Sequence, residues 1–241
     1  MVRYLIAGGV VDGALTDTTE VVEFVKTDST PSFGQLPSRR LGAVGAMFGN
    51  VAILCGGASS GAILDTCISH QASEWSQSHS MNEKRSVAAG IQINSTTLWI
   101  LGGYEGNEGS NFLDSTEFII QGKTNGIPGP KLPSILNGMC AVKLSETEIF
   151  VIGGWDGFDA RNEVWIYNPQ DGFSRKQGPS LSTPRYGHSC STMKNGEKIS
   201  IVTAGGEYIR DEHIFLLPSV EIYDPIDNTW YPGKTNSQSQ K

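Results

Sequence analysis

The chain contains no apolar run approaching the roughly 18 residues that a membrane-spanning helix needs, and its first residues lack the charged, apolar and cleavable pattern of a leader. Charge is sparse and leans acidic: charged residues are 18% of the 241, and 18 Lys and Arg stand against 25 Asp and Glu, for a net −7. A nucleic-acid surface needs clustered Lys and Arg, so that class is excluded, and a basic or neutral partner fits better. No amphipathic segment of helical length is present. The four cysteines, Cys55, Cys67, Cys140 and Cys190, show no C-x-x-C spacing, which removes the usual zinc and dithiol signatures. Buried free thiols are expected, with a Cys55–Cys67 pair left open because the two fall on neighbouring strand-like stretches. These absences read as a soluble, cytoplasmic chain. In that setting Asn94-Ser-Thr96, formally a glycosylation acceptor, is idle.

Glycine is abundant, at 29 residues, and its arrangement is regular. Five apolar stretches end in a glycine pair: Tyr4-Leu-Ile-Ala-Gly-Gly9, Val51-Ala-Ile-Leu-Cys-Gly-Gly57, Leu98-Trp-Ile-Leu-Gly-Gly103, Ile149-Phe-Val-Ile-Gly-Gly154 and Ile199-Ser-Ile-Val-Thr-Ala-Gly-Gly206. Their first glycines stand 48, 46, 51 and 52 residues apart, a repeat of about 50. Ten to fifteen residues after each pair comes a second strand, at Thr19–Phe24, Leu64–Ile68, Asp114–Ile119, Asn162–Tyr167 and Ser219–Asp224, mostly alternating polar with apolar as a half-buried strand does. Turns rich in Pro, Asn, Asp and Gly follow. An aromatic residue then opens a third strand at Phe33, Trp75, Phe173 and Trp230; the third copy lacks it, so its outer strand is expected to be short. Next an apolar residue is followed four positions later by Arg, as in Leu36/Arg40, Met81/Arg85 and Leu181/Arg185, whereas Leu132 is followed by Leu136. Each precedes a small-residue stretch, such as Gly42–Ala46 or Gly187–Ser191, suited to an inner strand where space is short.

In these marks the sequence resembles a run of kelch repeats, over residues 2 to 232. The resemblance implies an all-β fold, a β-propeller of about five four-stranded blades occupying residues 1–233, the first lacking its innermost strand. Residues 234–241 form a polar tail with no strand pattern, expected to be disordered. That tail does not complete the first blade, so the chain is expected to be part of a longer propeller of six or seven blades, or a gene-model fragment, rather than a closed five-bladed ring.

The glycine pairs do not cradle phosphate: no G-x-x-x-x-G-K-[ST] occurs, and strand-end geometry accounts for them. The loops after the pairs are the candidate binding face. They carry Tyr104, Phe112, Trp155, Phe158 and Tyr208 beside Glu105, Glu108, Asp156, Asp159, Glu207 and Asp211, and exposed aromatics among charges favour protein partners. Alternatively, Trp155 and Tyr208 cover their own blade edges. Arg40, Arg85 and Arg185 precede the inner strands, where the resemblance implies contact with partner carboxylates; equally they tie neighbouring backbone carbonyls.

Enzymatic propellers similar to galactose oxidase, sialic-acid mutarotases and iron-dependent specifier proteins offer a different reading. The four histidines, His70, His79, His188 and His213, occupy three different repeat positions, and Glu207, Asp211 and His213 miss the Glu-x-x-x-Asp-x-x-x-His iron pattern. The sequence is read as a noncatalytic protein-interaction module, an adaptor or scaffold without cofactor, catalytic residue or metal ligand. The family implies a cullin-type ubiquitin ligase or a cytoskeletal protein as partner. A small-molecule or carbohydrate-binding propeller enzyme is the alternative.

Overall fold

The computed structural model describes the backbone of residues 3–7, 10–11, 14–23, 34–72, 74–106, 111–210 and 213–233, and side chains at 16–18 and, within these ranges, from 34 onward. All regular structure among the described residues is β, and no helix there is long and apolar enough to cross a membrane. The chain forms two compact units, Met1–Lys131 and Leu132–Lys241.

In the first unit, β1 (Arg3–Ala7) pairs with β4 (Thr19–Glu23), and β2 (Val10–Val11) with β3 (Ala14–Leu15) lies between them in sequence. A four-stranded antiparallel sheet follows from β5 (Val44–Phe48), β6 (Val51–Cys55), β9 (Thr66–Gln71) and β10 (Glu74–Ser80), with β7 (Ala58–Ser59) and β8 (Ala62–Ile63) as a small hairpin between β6 and β9. The next sheet is β11 (Ala89–Asn94), β12 (Thr97–Leu101), β13 (Thr116–Ile120) and β14 (Ile127–Pro128). The second unit holds β15 (Cys140–Ser145), β16 (Glu148–Ile152), β17 (Val164–Asn168) and β18 (Ser174–Gln177), then β19 (Ser189–Asn195), β20 (Lys198–Ala204), β23 (Val220–Asp224) and β24 (Thr229–Pro232). The hairpin β21 (Glu207–Arg210) with β22 (His213–Leu216) is inserted between β20 and β23.

Each four-stranded sheet is one sequence repeat, and the apolar glycine-pair strand is its second strand. These strands read as continuous apolar runs because both faces are covered. Leu98 to Leu101 and Ile149 to Ile152 are all buried. Alternate residues of β6 separate to opposite sides: Ile53 and Cys55 join Leu98, Ile100 and Ile119 in one cluster, and Leu54 joins Leu36 and Ile68 in another. In the second unit Phe150, Ile152, Val164, Ile201, Tyr223 and Trp230 form the equivalent layer. Each such aliphatic side chain contributes about 1.5–3 kcal/mol by leaving water. The polar outer strand β18 is exposed throughout, and in the copy without an opening aromatic the outer strand β14 is two residues long.

Small residues stand where edge strands approach each other. Strands β5 and β11 are neighbours, and a Cβ added to Gly90 would collide with the Val44 side chain. In the second unit β15 lies beside β19, and Gly187 donates its N–H to the Gly138 carbonyl at 2.7 Å. The glycine pair has its own requirement. Gly153 and Gly154 have φ of 58° and 106°, and a Cβ on Gly153 would sit 2.5 Å from the Arg185 carbonyl oxygen. Positive φ and close backbone approach together select glycine there.

Three features differ from the sequence reading. The cysteines are not free thiols: Cys55 pairs with Cys67 across β6 and β9, and Cys140 pairs with Cys190 across β15 and β19. Paired disulfides belong to an oxidising compartment, and so point to an extracellular or secreted setting rather than the expected cytoplasmic one. Three of the post-glycine loops contain short hairpins, β2–β3, β7–β8 and β21–β22. The expected strand at Phe33, the loop residues Glu108 and Asp211, and the tail 234–241 lie outside the described residues.

Candidate functional site

The post-glycine loops begin from a fixed anchor. At the described glycine pairs the residue after the pair bonds in both directions with the residue after the arginine position of the same repeat. Tyr104 donates to Ser86 at 2.8 Å and accepts from it at 3.0 Å; Trp155 does the same with Asn137 at 2.8 and 3.0 Å. Glu207 donates to Tyr186 at 2.9 Å and accepts from it at 3.0 Å. Loop side chains are thereby presented from backbone that the sheets hold still.

In the second unit these anchors gather an aromatic ridge. The Trp155 ring lies 5.3 Å from that of Tyr186, Tyr186 is bonded to Glu207, and the adjacent Tyr208 stacks on Phe215 at 5.1 Å. Trp155 and Tyr208 are both half-buried. Burial and the Glu207 carboxylate push the Tyr186 phenol up to about 12. Between the Trp155 loop and the β21–β22 hairpin runs an open cleft of about 460 Å³, lined by Asp159, Ala160, Pro184, Tyr208, Ile209 and Arg210.

Asp156 builds the loop rather than facing out. Its Oδ1 accepts the N–H of Phe158 at 2.9 Å and of Asp159 at 2.8 Å, and its Oδ2 accepts from Arg161 at 3.2 Å. Burial alone would raise its pKa, but the two N–H donors and Arg161 bring it below the ordinary carboxylate value. Arg161 also pairs with Glu163. The turn holds Phe158 outward, 83% exposed, and β22 adds Ile214 at 61% and Leu216 at 79%. In the first unit Tyr104 is half-buried with its ring 5.7 Å from that of Phe112, and Glu105 accepts from Asn111 at 2.8 Å.

The three arginines take the tying geometry. Arg40, Arg85 and Arg185 are only 3%, 1% and 0% exposed. Arg40 donates to the carbonyls of Gly56 and Thr66 at 2.9 and 2.8 Å. Arg85 reaches the carbonyls of Gly102 and Ser115, and Arg185 those of Gly205 and Ser219. Arg85 and Arg185 also meet buried carboxylates, Glu117 at 2.8 Å and Glu221 at 2.9 Å. Guanidiniums so enclosed leave no edge for a partner carboxylate, and the outward face is drawn without them.

Tyr186, Arg161, Ile214, Phe215 and Leu216 belong to this site but escape the sequence reading. The pairing of β21 with β22 had a signal, since Tyr208-Ile209 and Ile214-Phe215 are β-favouring pairs flanking a short polar link. The same pairing spreads the acid and histidine of that segment. Glu207 lies opposite Leu216 and Arg210 opposite His213, so Glu207 and His213 stand at opposite ends of the hairpin, roughly 10 Å apart along it.

Fold and site together define an all-β protein of repeated four-stranded antiparallel sheets, with an aromatic and apolar loop surface. No model of a known protein family matches the chain, and no curated protein matches it.

Proposed function

We propose that the four sheets are blades of a kelch-type β-propeller and that the chain is a noncatalytic protein-interaction module working outside the cytosol. The repeat-to-sheet correspondence and the side-by-side edge strands support the blade reading. The observation that carries the functional reading is the β21–β22 hairpin, where Ile214, Phe215 and Leu216 are successive exposed apolar residues beside the cleft. Monomeric soluble surfaces rarely keep such apolar clusters unless something binds them. Rigid backbone anchoring lowers the ordering cost of binding, as an interaction surface requires.

The partner proposed is an extracellular protein with an apolar, neutral or basic contact surface. A cullin-type ligase and a cytoskeletal filament do not share an oxidising compartment, and the disulfides weigh against both. Affinity capture from the extracellular fraction with the wild-type chain and with Ile214→Ser/Leu216→Ser tests this. Loss of a captured protein from the double variant, with retention by an Arg175→Ala control, is expected. Equal recovery by the double variant would refute the proposed face.

A further inference from the structure

We infer that Asn94 is the acceptor of an N-linked glycan. Asn94-Ser95-Thr96 satisfies N-x-[ST] with no proline between. The residues form the tip of the β11–β12 hairpin, where pairing shifts register between Gln92 and Asn94, and all three are exposed. Within the tip the Asn94 Oδ1 accepts the Thr96 N–H at 2.9 Å and the Thr96 hydroxyl at 3.1 Å. The carboxamide and the hydroxyl on which acceptor recognition depends are therefore already in contact.

The second observation is independent of the motif. Two disulfides place the chain in the oxidising route that secreted proteins follow, and N-glycosylation of surface loops belongs to that route. The transfer balances without an external oxidant. The Asn94 Nδ2 attacks the anomeric carbon of a lipid-pyrophosphate-linked oligosaccharide. A C–N bond forms, the C–O bond to pyrophosphate breaks, the lipid pyrophosphate leaves and the amide proton passes to a base of the transferase.

Geometry also decides where the glycan would sit. The tip precedes β12, whose other end runs into Gly102 and Gly103. Five residues of strand separate the two ends, roughly 16 Å. A glycan on Asn94 would therefore be attached at the end of the sheet opposite its post-glycine loop. The corresponding tips, Gly49-Asn50, Glu146-Thr147 and Gly196-Glu197, carry no acceptor motif, so one site is expected.

The test is peptide mapping of the protein purified from its native source, before and after peptide N-glycosidase. A single glycopeptide spanning Asn94, released with conversion of Asn94 to Asp, is expected. In secreting cells of that source, Asn94→Gln and Thr96→Ala each lose the mobility shift, and Thr96→Ser keeps it. Unmodified Asn94 in native protein that has both disulfides overturns the site; unmodified Asn94 beside free thiols overturns the site and the compartment together. A shift that persists in Asn94→Gln also overturns the assignment.

Discussion

Arg185 donates from Nη2 to Glu221 Oε1 at 2.9 Å with both side chains sealed from solvent. The carboxylate is completed by the Ser182 N–H and hydroxyl, each at 2.7 Å. The Arg185 backbone carbonyl meanwhile accepts the Gly154 N–H at 2.9 Å. One residue thus ties the glycine pair of its own repeat through its side chain and that of the preceding repeat through its main chain. Removing one member of a buried pair costs about 3–5 kcal/mol, because the other charge is left unpaired. Arg185→Met is expected to lose that much in urea unfolding of the whole chain, and Arg185→Met/Glu221→Met less than the sum of the two single losses. Additive losses, or a single loss below about 1 kcal/mol, would show that the pair is not the tie described.

The two disulfides should differ in accessibility and in worth. Cys55 and Cys67 are fully buried, whereas Cys140 and Cys190 are half-buried, so mild reductant is expected to open Cys140–Cys190 first. Sequence separations of 12 and 50 correspond to losses of about 3 and 4 kcal/mol in the chain-entropy account when each bridge is replaced by serines. Thiol labelling with mass mapping gives the order, and denaturant unfolding gives the losses. Earlier labelling of Cys55 and Cys67 would contradict the ordering.

His188 makes stability depend on mild acid. Its ring is buried against Gly153, and burial, with the nearby Arg185 charge, lowers its pKa to about 4. The folded state therefore holds the neutral ring while an unfolded chain takes a proton near pH 6.5. Stability from this group is complete above the unfolded value and falls as the pH drops from about 6.5 towards 4, by about 3 kcal/mol in total. Glu221, also lowered in the fold, has its effect in a separate window: its contribution is present above the unfolded carboxylate value and is lost as pH falls through the lower folded one. His188→Gln is expected to flatten the fall in Tm between pH 6.5 and 4 while leaving the steeper loss below it. An unchanged profile would exclude His188 as the source.

The repeat was legible because its physical causes are local. A strand buried on both faces needs an unbroken apolar run, and its end needs glycine at positive φ, as at Gly153 and Gly154. What escaped depends on distant partners. Nothing local to Cys140 announces Cys190, because the bridge joins edge strands of two different repeats. An arginine before an edge strand can turn outward or inward; all three turn in to strand-end carbonyls distant in sequence, and for Arg85 and Arg185 a glutamate more than thirty residues away adds a charge partner. A signal did exist: Glu117 and Glu221 stand in copies that carry Arg85 and Arg185, whereas the copy with Leu136 has Trp165 at that place. At the candidate site Trp155 and Phe158 were visible as aromatics. The exposure of β22 was not, since two short strands show no period until they are paired.

Asp156 decides whether the Trp155 loop is a preformed surface. Its Oδ1 accepts from the backbone of both Phe158 and Asp159, while Oδ2 faces Arg161. Substitution separates the two roles. Asp156→Asn keeps a carbonyl oxygen for the N–H donors but loses the attraction to Arg161; Asp156→Ala loses both. Amide exchange at Phe158 and Asp159 is expected to quicken strongly in the alanine variant and only slightly in the asparagine variant, with a stability loss of about 1 kcal/mol for alanine. Because the carboxylate pKa is lowered in the fold, wild-type protection should persist above the unfolded value near pH 3.8 and fade as pH drops through the lower folded one. The asparagine variant, with no proton to take up at that side chain, should lose that acid step. Equal exchange in wild type and Asp156→Ala would mean that the loop is held by its strand anchors alone, with Phe158 displayed by the Trp155–Asn137 backbone pairing rather than by the aspartate turn.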